Sequence, residues 1–134
     1  MITYIEIGGK KYPMSYSVMA QKQIIKKYGS LNKMQEIMQD TESEKSVDAM
    51  IDMVEILVSQ GCAYMNYFEK DAPVPENAPV VDGKWTPISR GGLEIGLRYT
   101  KNVMLNIAAC ISGSSKQEIE AEVKEQKNEE AARE

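Results

Sequence analysis

The feature that most constrains the fold is a run of apolar residues between Ser46 and Phe68 that recur at steps of three and four positions. This spacing places them on one face of an α-helix of about six turns. The members of the run are Val47, Met50, Ile51, Val54, Leu57, Val58, Gly61, Tyr64, Met65 and Phe68. A helix of this length needs other elements to cover its apolar face. Because glycine within a helix costs ~1 kcal/mol relative to alanine, we expect Gly61 to allow a close helix approach or a bend.

The start of the chain is typical of a β-hairpin. Residues 2–7 and 11–14 have extended patterns and are joined by Gly8 and Gly9, which can supply the positive φ angles of a tight turn. Pro13 cannot donate a ladder hydrogen bond, so the second strand should be short or lie at an edge. The hairpin then requires a helix to cover one of its faces.

Two helices are predicted directly after this hairpin. The first begins at Ser15 or Ser17, either of which can cap it, and ends before Gly29. Ser30 can cap the second. The apolar positions of the second helix are Leu31, Met34, Ile37 and Met38.

A proline-rich loop is predicted at residues 71–92, which contain four of the five prolines and the only tryptophan. The dipeptide Asp82-Gly83 favours a second small hairpin near 79–88. Trp85 either packs back over the core or anchors a partner, and the sequence leaves both interpretations open.

The phrases "GGKKYPMS" and "DGKWTPIS" both place a turn, a proline and a serine ahead of a helix-like stretch. We interpret each as a tight turn followed by a serine that can cap the next helix. After the second phrase, one helix is predicted from Gly91 or Gly92 to the "SGSS" segment. Its apolar positions are Leu93, Leu97, Val103, Met104, Ile107 and Ile111.

The expected fold class is α+β and mainly α, with a short N-terminal β-hairpin packed on a bundle of about four helices. Residues 1–113 should form a single globular domain. Residues 114–134 are predicted to be a charged tail, either disordered or a projecting helix, because from Lys116 onward seven acidic and four basic residues accompany few apolar ones.

Composition argues against several functional classes. The formal net charge of −4 is unfavourable for binding a phosphate backbone, so nucleic acid is not an expected partner. The chain contains no histidine, and Cys62 and Cys110 lie on apolar helical runs as predicted buried free thiols. The "GGKK" turn lacks the spacing of a phosphate loop. We therefore expect no enzyme, no catalytic residue, no metal and no cofactor.

A membrane partner is also not expected, since no window approaches 18 uninterrupted apolar residues. The start of the chain lacks the basic and apolar regions of a signal peptide, which predicts a cytoplasmic protein.

Nine methionines are many for this length, and thioethers either fill an irregular core or form an adaptable binding surface. Core filling is the favoured interpretation and partner binding is the alternative. The candidate partner-binding residues are Met34, Met38, Met53 and Trp85. For the aromatic residues that end the long helix, Tyr64, Tyr67 and Phe68, we expect core packing.

The opening stretch "IGGKKYPMSYSVMAQKQIIKKYGSL" resembles the tail assembly chaperones of long-tailed bacteriophages and of prophages in low-GC Gram-positive bacteria. That family opens with a strand, a Gly-Lys turn, Tyr-Pro with an apolar residue, and a helix that ends in an aromatic-glycine step. The matching residues here are Gly9, Lys10, Tyr12, Pro13, Met14, Tyr28 and Gly29.

The resemblance implies a non-enzymatic role in the cytoplasm of a bacterial host. Such chaperones bind the long, helical tape measure protein, keep it soluble and help to recruit tail tube subunits, and they are absent from the finished virion. They are often made in two forms by translational frameshifting. Whether this chain forms a homo-oligomer stays open. The alternative is a small structural virion protein of the tail or the head-tail junction, and a small enzyme is a weaker third option.

Overall fold

The computed structural model of the 134-residue chain describes residues 2–40 and 42–113. In this part, the strands are β1 (Thr3–Ile7), β2 (Lys10–Met14), β3 (Val80–Val81) and β4 (Lys84–Trp85). The helices are α1 (Val18–Tyr28), α2 (Leu31–Gln39), α3 (Glu44–Phe68), α4 (Arg90–Gly96) and α5 (101–113). This confirms the predicted α+β, mainly helical class with an N-terminal hairpin.

Strands β1 and β2 form the predicted antiparallel hairpin. Gly8 and Gly9 make its turn with φ angles of 59° and 80°, a conformation that favours glycine. Ile5, Ile7 and Met14 are buried, so one face of the hairpin belongs to the core. On the other face, Tyr4 and Lys11 line a pocket together with residues of the proline-rich loop.

Helix α3 lies directly on β2, and Gly61 makes this contact close. A Cβ atom at position 61 would lie 2.0 Å from the carbonyl oxygen of Pro13, so only glycine fits there. One turn earlier, the backbone amide of Ser15 donates a 3.0 Å hydrogen bond to the carbonyl oxygen of Leu57. The expected close approach at Gly61 is therefore present, but the approaching element is a strand and not a helix.

Serine caps define the next two helices as predicted. Ser17, and not Ser15, caps α1, because its hydroxyl accepts a 3.1 Å hydrogen bond from the amide of Ala20. Ser30 caps α2 in the same way through the amide of Lys33. Gly29, with a φ of 93°, makes the turn between the two helices.

Helix α3 is the centre of the fold, with 13 buried residues in its 25 positions. It begins at Glu44 with Ser43 as its cap, three residues before the predicted start at Val47. Ser46, expected to precede the helix, is instead buried within its first turn. There its hydroxyl donates a 3.2 Å hydrogen bond to the carbonyl oxygen of Met38.

The single helix predicted from Gly91 or Gly92 to the "SGSS" segment is wrong, because the chain breaks between α4 and α5. The amide of Val103 donates to the hydroxyl of Thr100, which caps the new helix. Arg98 donates to the carbonyl oxygen of Ile95, so the end of α4 is also satisfied. The hydroxyl of Tyr99, between them, lies 2.9 Å from that of Ser46 and ties the break to α3.

The second small hairpin predicted near 79–88 is present as β3 and β4. Asp82 and Gly83 form its turn with φ angles of 52° and 79°. Ser89 then caps α4 by accepting a hydrogen bond from the amide of Gly92. The second phrase therefore consists of a tight turn and a serine cap, as expected, whereas after the first phrase the cap is Ser17, two residues beyond the phrase's own serine, Ser15.

One cluster of buried apolar side chains includes residues from both hairpins and from all five helices. Cys62 and Cys110 are both buried in it, as predicted. Within residues 2–40 and 42–113, no helix combines the length and the apolar character needed to cross a membrane. The predicted charged tail at 114–134 lies outside the described residues.

Candidate functional site

The four predicted partner-binding residues do not form one surface. Met53 is fully buried in α3, and Trp85 is buried at the second hairpin. Met34 and Met38 are also largely buried, but together they line a groove on α2. The lining of that groove includes neither Met53 nor Trp85.

This groove, which we call the methionine groove, lies between α2 and α5 and has a volume of about 290 Å³. Its lining residues are Met34, Gln35, Met38, Gln39, Met104, Ile107, Ala108 and Ile111. Three methionines line it, and their flexible thioethers can adjust to different apolar groups. The groove is therefore a first candidate contact surface.

Trp85 packs against α3, which favours the core interpretation of this residue. The side-chain amide of Asn66 binds its backbone on both sides: Asn66 Nδ2 donates to the carbonyl oxygen at 2.9 Å, and the Trp85 amide donates to Oδ1 at 2.8 Å. The backbone amide of Lys11 donates a 3.0 Å hydrogen bond to the carbonyl oxygen of Asn77. The proline-rich loop and its hairpin thus lie beside the first hairpin.

The expectation that Tyr64, Tyr67 and Phe68 pack in the core is wrong. Their exposed fractions are 37%, 78% and 65%, respectively. The ring of Phe68 contacts both tyrosines, with centroid distances of 5.0 Å to Tyr64 and 4.8 Å to Tyr67. These three residues, which we call the aromatic cluster, form the largest group of exposed aromatic rings in contact within the described residues.

The aromatic cluster borders a groove between the start of α1 and the second half of α3. This aromatic groove has a volume of about 290 Å³ and a mainly apolar lining. Its lining residues are Ser15, Ser17, Gln60, Ala63, Tyr64, Tyr67 and Phe68. Ser17 donates a 2.7 Å hydrogen bond to Oε1 of Gln60, which fixes the distance between the two helices.

One signal in the sequence could have separated the two tyrosines of this surface from the core. Gln60, Tyr64 and Tyr67 are spaced i, i+4 and i+7, so they lie on one stripe of the helix. The core stripe passes instead through Gly61 and Met65, which are buried. A glutamine on the first stripe indicates a solvent-facing side, even though aromatic residues follow it.

Asp52 is the centre of a charged cluster that joins three helices. It is 3% exposed on α3, and its Oδ1 accepts a 2.6 Å hydrogen bond from Arg90 of α4. Its Oδ2 lies 2.9 Å from Nζ of Lys27 and also accepts a hydrogen bond from the hydroxyl of Tyr28, both on α1. Because both oxygens have donors, the cluster is a structural link between helices.

The environment of this cluster shifts the pKa values of Asp52, Tyr28 and Arg90, the last of which is raised by its hydrogen bond to Asp52. Burial by itself raises the pKa of Asp52, but hydrogen bonds from Tyr28, Lys27 and Arg90 outweigh it and lower that pKa below its usual value. Burial and the hydrogen bond to Asp52 raise the pKa of Tyr28. The carboxylate is therefore ionised and the phenol neutral at pH 7.

Among the described residues, no group of three or more histidine, cysteine, aspartate or glutamate side chains could hold a metal ion. No family model, curated protein or solved structure matches the chain. The candidate functional site is accordingly defined by its own chemistry, which is an exposed aromatic cluster on a helical body.

Proposed function

We propose that this protein is a non-catalytic binding protein that acts as a phage tail assembly chaperone. In this role it binds and solubilises the tape measure protein and helps to recruit tail tube subunits in the cytoplasm of a bacterial host. The observation that carries the proposal is the exposure of the aromatic cluster, in which Tyr67 is 78% and Phe68 is 65% exposed. Tyrosine is enriched among the residues that dominate binding energy at protein interfaces.

The physical requirements of such a chaperone agree with these surfaces. To bind a partner with an exposed apolar helix face, a chaperone must cover that face with apolar groups of its own. Its net charge must keep the chaperone soluble. The aromatic cluster and the methionine groove offer two such surfaces, and the chain carries a net charge of −4. Several copies bound along one long partner would add avidity without a strong single contact.

The opening motif supports the family assignment in this proposal. Its residues build the fold: Gly9 makes the first turn, Pro13 lies against Gly61, and Tyr28 with Gly29 ends α1.

The proposal is tested by co-expressing the chain with a tape measure fragment from the same gene cluster. We expect a larger soluble fraction of the fragment and its co-purification with the chain. The double substitution Tyr67→Ser/Phe68→Ser should abolish both effects. Ile95→Ser is the matched control, since Ile95 is an apolar residue with 79% exposure on α4.

An unchanged soluble fraction together with no co-purification would overturn the proposal. Mass spectrometry of purified phage particles provides the second test. A chaperone should be absent from the particles, whereas a stoichiometric amount would identify the chain as a structural virion protein.

A further inference from the structure

The outer face of α1 is a second unusual surface, next to the aromatic cluster. Eight of the eleven residues of α1 are exposed, and only Ala20 and Ile24 are buried. The exposed residues include Val18 at 73% and Ile25 at 55%. An exposed helix that presents aliphatic side chains to solvent is a candidate contact surface.

This face is positively charged, although the whole chain is acidic. Lys22 and Lys26 are exposed, and α1 contains no acidic residue. Lys27 already pairs with Asp52. Within the part of the chain that the structure describes, no carboxylate forms an ion pair with Lys22 or Lys26. Their charges are therefore available to an acidic partner.

Helix α1 begins at the edge of the aromatic groove. Ser17 lines the groove and is followed directly by Val18. Val18, Lys22 and Ile25 are spaced i, i+4 and i+7, so they form one ridge about 10 Å long. A ridge of two helical turns matches the groove of another α-helix.

We propose that the aromatic cluster and the outer face of α1 together dock one amphipathic helix whose apolar stripe is flanked by acidic side chains. The apolar stripe would cover Val18, Ile25 and the aromatic rings, and the acidic flank would face Lys22 and Lys26. This inference rests on the proposed function, because it specifies which segments of the tape measure protein the chaperone selects.

The test uses fluorescently labelled peptides of about 25 residues that tile the tape measure protein, titrated with the full chain. We expect the bound peptides to be amphipathic, net negative and helical by circular dichroism when bound. Raising the salt concentration should weaken their binding, because the lysines and their partners are exposed to solvent. The charge reversal Lys22→Glu/Lys26→Glu should weaken binding by about tenfold at low salt.

Lys84→Glu/Lys101→Glu is the matched control, since it makes the same change in net charge at exposed lysines outside α1. It should bind like the unchanged chain. Equal binding by both double variants would overturn the inference but leave the proposed function intact. Bound peptides that are basic or extended would also overturn the inference and leave the proposed function intact. If the unchanged chain binds no tape measure peptide, the proposed function itself fails. If Lys22→Glu/Lys26→Glu instead dissociates a dimer of the chain, the face is a self-association surface and the inference is wrong.

Discussion

The contact between Gly61 and the backbone of β2 leads to the sharpest stability prediction. The substitution Gly61→Ala adds one methyl group 2.0 Å from the carbonyl oxygen of Pro13 and 2.6 Å from the amide nitrogen of Met14. Real Cβ atoms essentially never approach other atoms within 3.0 Å, so the strand must move by about 1 Å. Its neighbours are backbone atoms, and no flexible side chain can yield instead.

Two effects of opposite sign determine the magnitude. Alanine improves helix propensity by ~1 kcal/mol over glycine. Overpacking in a core typically costs about 1–3 kcal/mol, and this overlap is with a backbone that also carries the buried Met14. The cost of this overlap should lie at or slightly above the upper end of that range. After the gain in helix propensity is subtracted, the net loss of unfolding free energy should be roughly 2 kcal/mol.

Urea denaturation followed by circular dichroism measures this change, and Gly91→Ala is the matched control. A Cβ atom at position 91 meets nothing within 4 Å, and Gly91 lies in α4. The control should therefore be neutral or gain up to about 1 kcal/mol. A Gly61→Ala variant as stable as the unchanged chain would refute the proposed packing of α3 on β2.

Three further predictions concern stability and reactivity. Asp52→Asn should lower the unfolding free energy by about 2–3 kcal/mol, because it removes a buried charge that pairs with Lys27 and Arg90. The loss is no larger because these two partners are themselves partly hydrated. Since folding lowers the pKa of Asp52, its contribution to the unfolding free energy is present above the unfolded pKa and is lost as the pH falls through the folded pKa. Urea midpoints measured from pH 6 down to pH 3 should therefore fall more steeply for the unchanged chain than for Asp52→Asn. Parallel curves for the two proteins would contradict this. Asn66→Ala should lower the unfolding free energy by about 2 kcal/mol, because it leaves the backbone amide and carbonyl of Trp85 without partners. The fluorescence emission of this single tryptophan should shift to the red. An unchanged spectrum and urea midpoint would show that Asn66 does not hold the second hairpin. Burial raises the pKa of the Cys62 thiol to about 12, so a thiol reagent at pH 8 should modify Cys62 only after denaturant is added. Peptide mapping locates the modified residue. Rapid modification of Cys62 in the native chain would contradict its burial.

Local sequence signals were sufficient for much of the fold. The positive φ angles at Gly8 and Gly83 follow from the turn chemistry of each hairpin, and Ser17 caps α1 as a serine at that position can. The three- and four-residue spacing identified α3, since tertiary packing uses the same face that the spacing defines. These elements were predictable because each depends on neighbours in the sequence.

The break between α4 and α5 could not be predicted in this way. Leu97 and Met104 are seven positions apart, as on one helix face, so the pattern suggests one helix. The break coincides with the local Thr100 cap and with a contact 53 residues away in the chain, between Tyr99 and Ser46. Tertiary contacts of this kind override local propensity, and spacing alone does not encode them.

The candidate site shows the same limit. Spacing placed Met34 and Met38 on one side of α2, and they share the methionine groove. The same rule assigned Tyr64 and Phe68 to the core, but spacing only says which residues share a face and not whether another element covers that face. Phe68 shares the core stripe of Gly61 and Met65, so the complete aromatic cluster was visible only once the positions of the hairpins and helices were known.

Site-specific photo-crosslinking tests whether the aromatic cluster is the surface that binds the partner. A photoreactive phenylalanine analogue replaces Tyr67 in the aromatic cluster or, as a control, Ile95 on α4, and each variant is co-expressed with the tape measure fragment. We expect a crosslink to the fragment from position 67 and little or none from position 95. A fragment that co-purifies with the chain but crosslinks only from position 95 would contradict the assignment of the aromatic cluster as the binding surface.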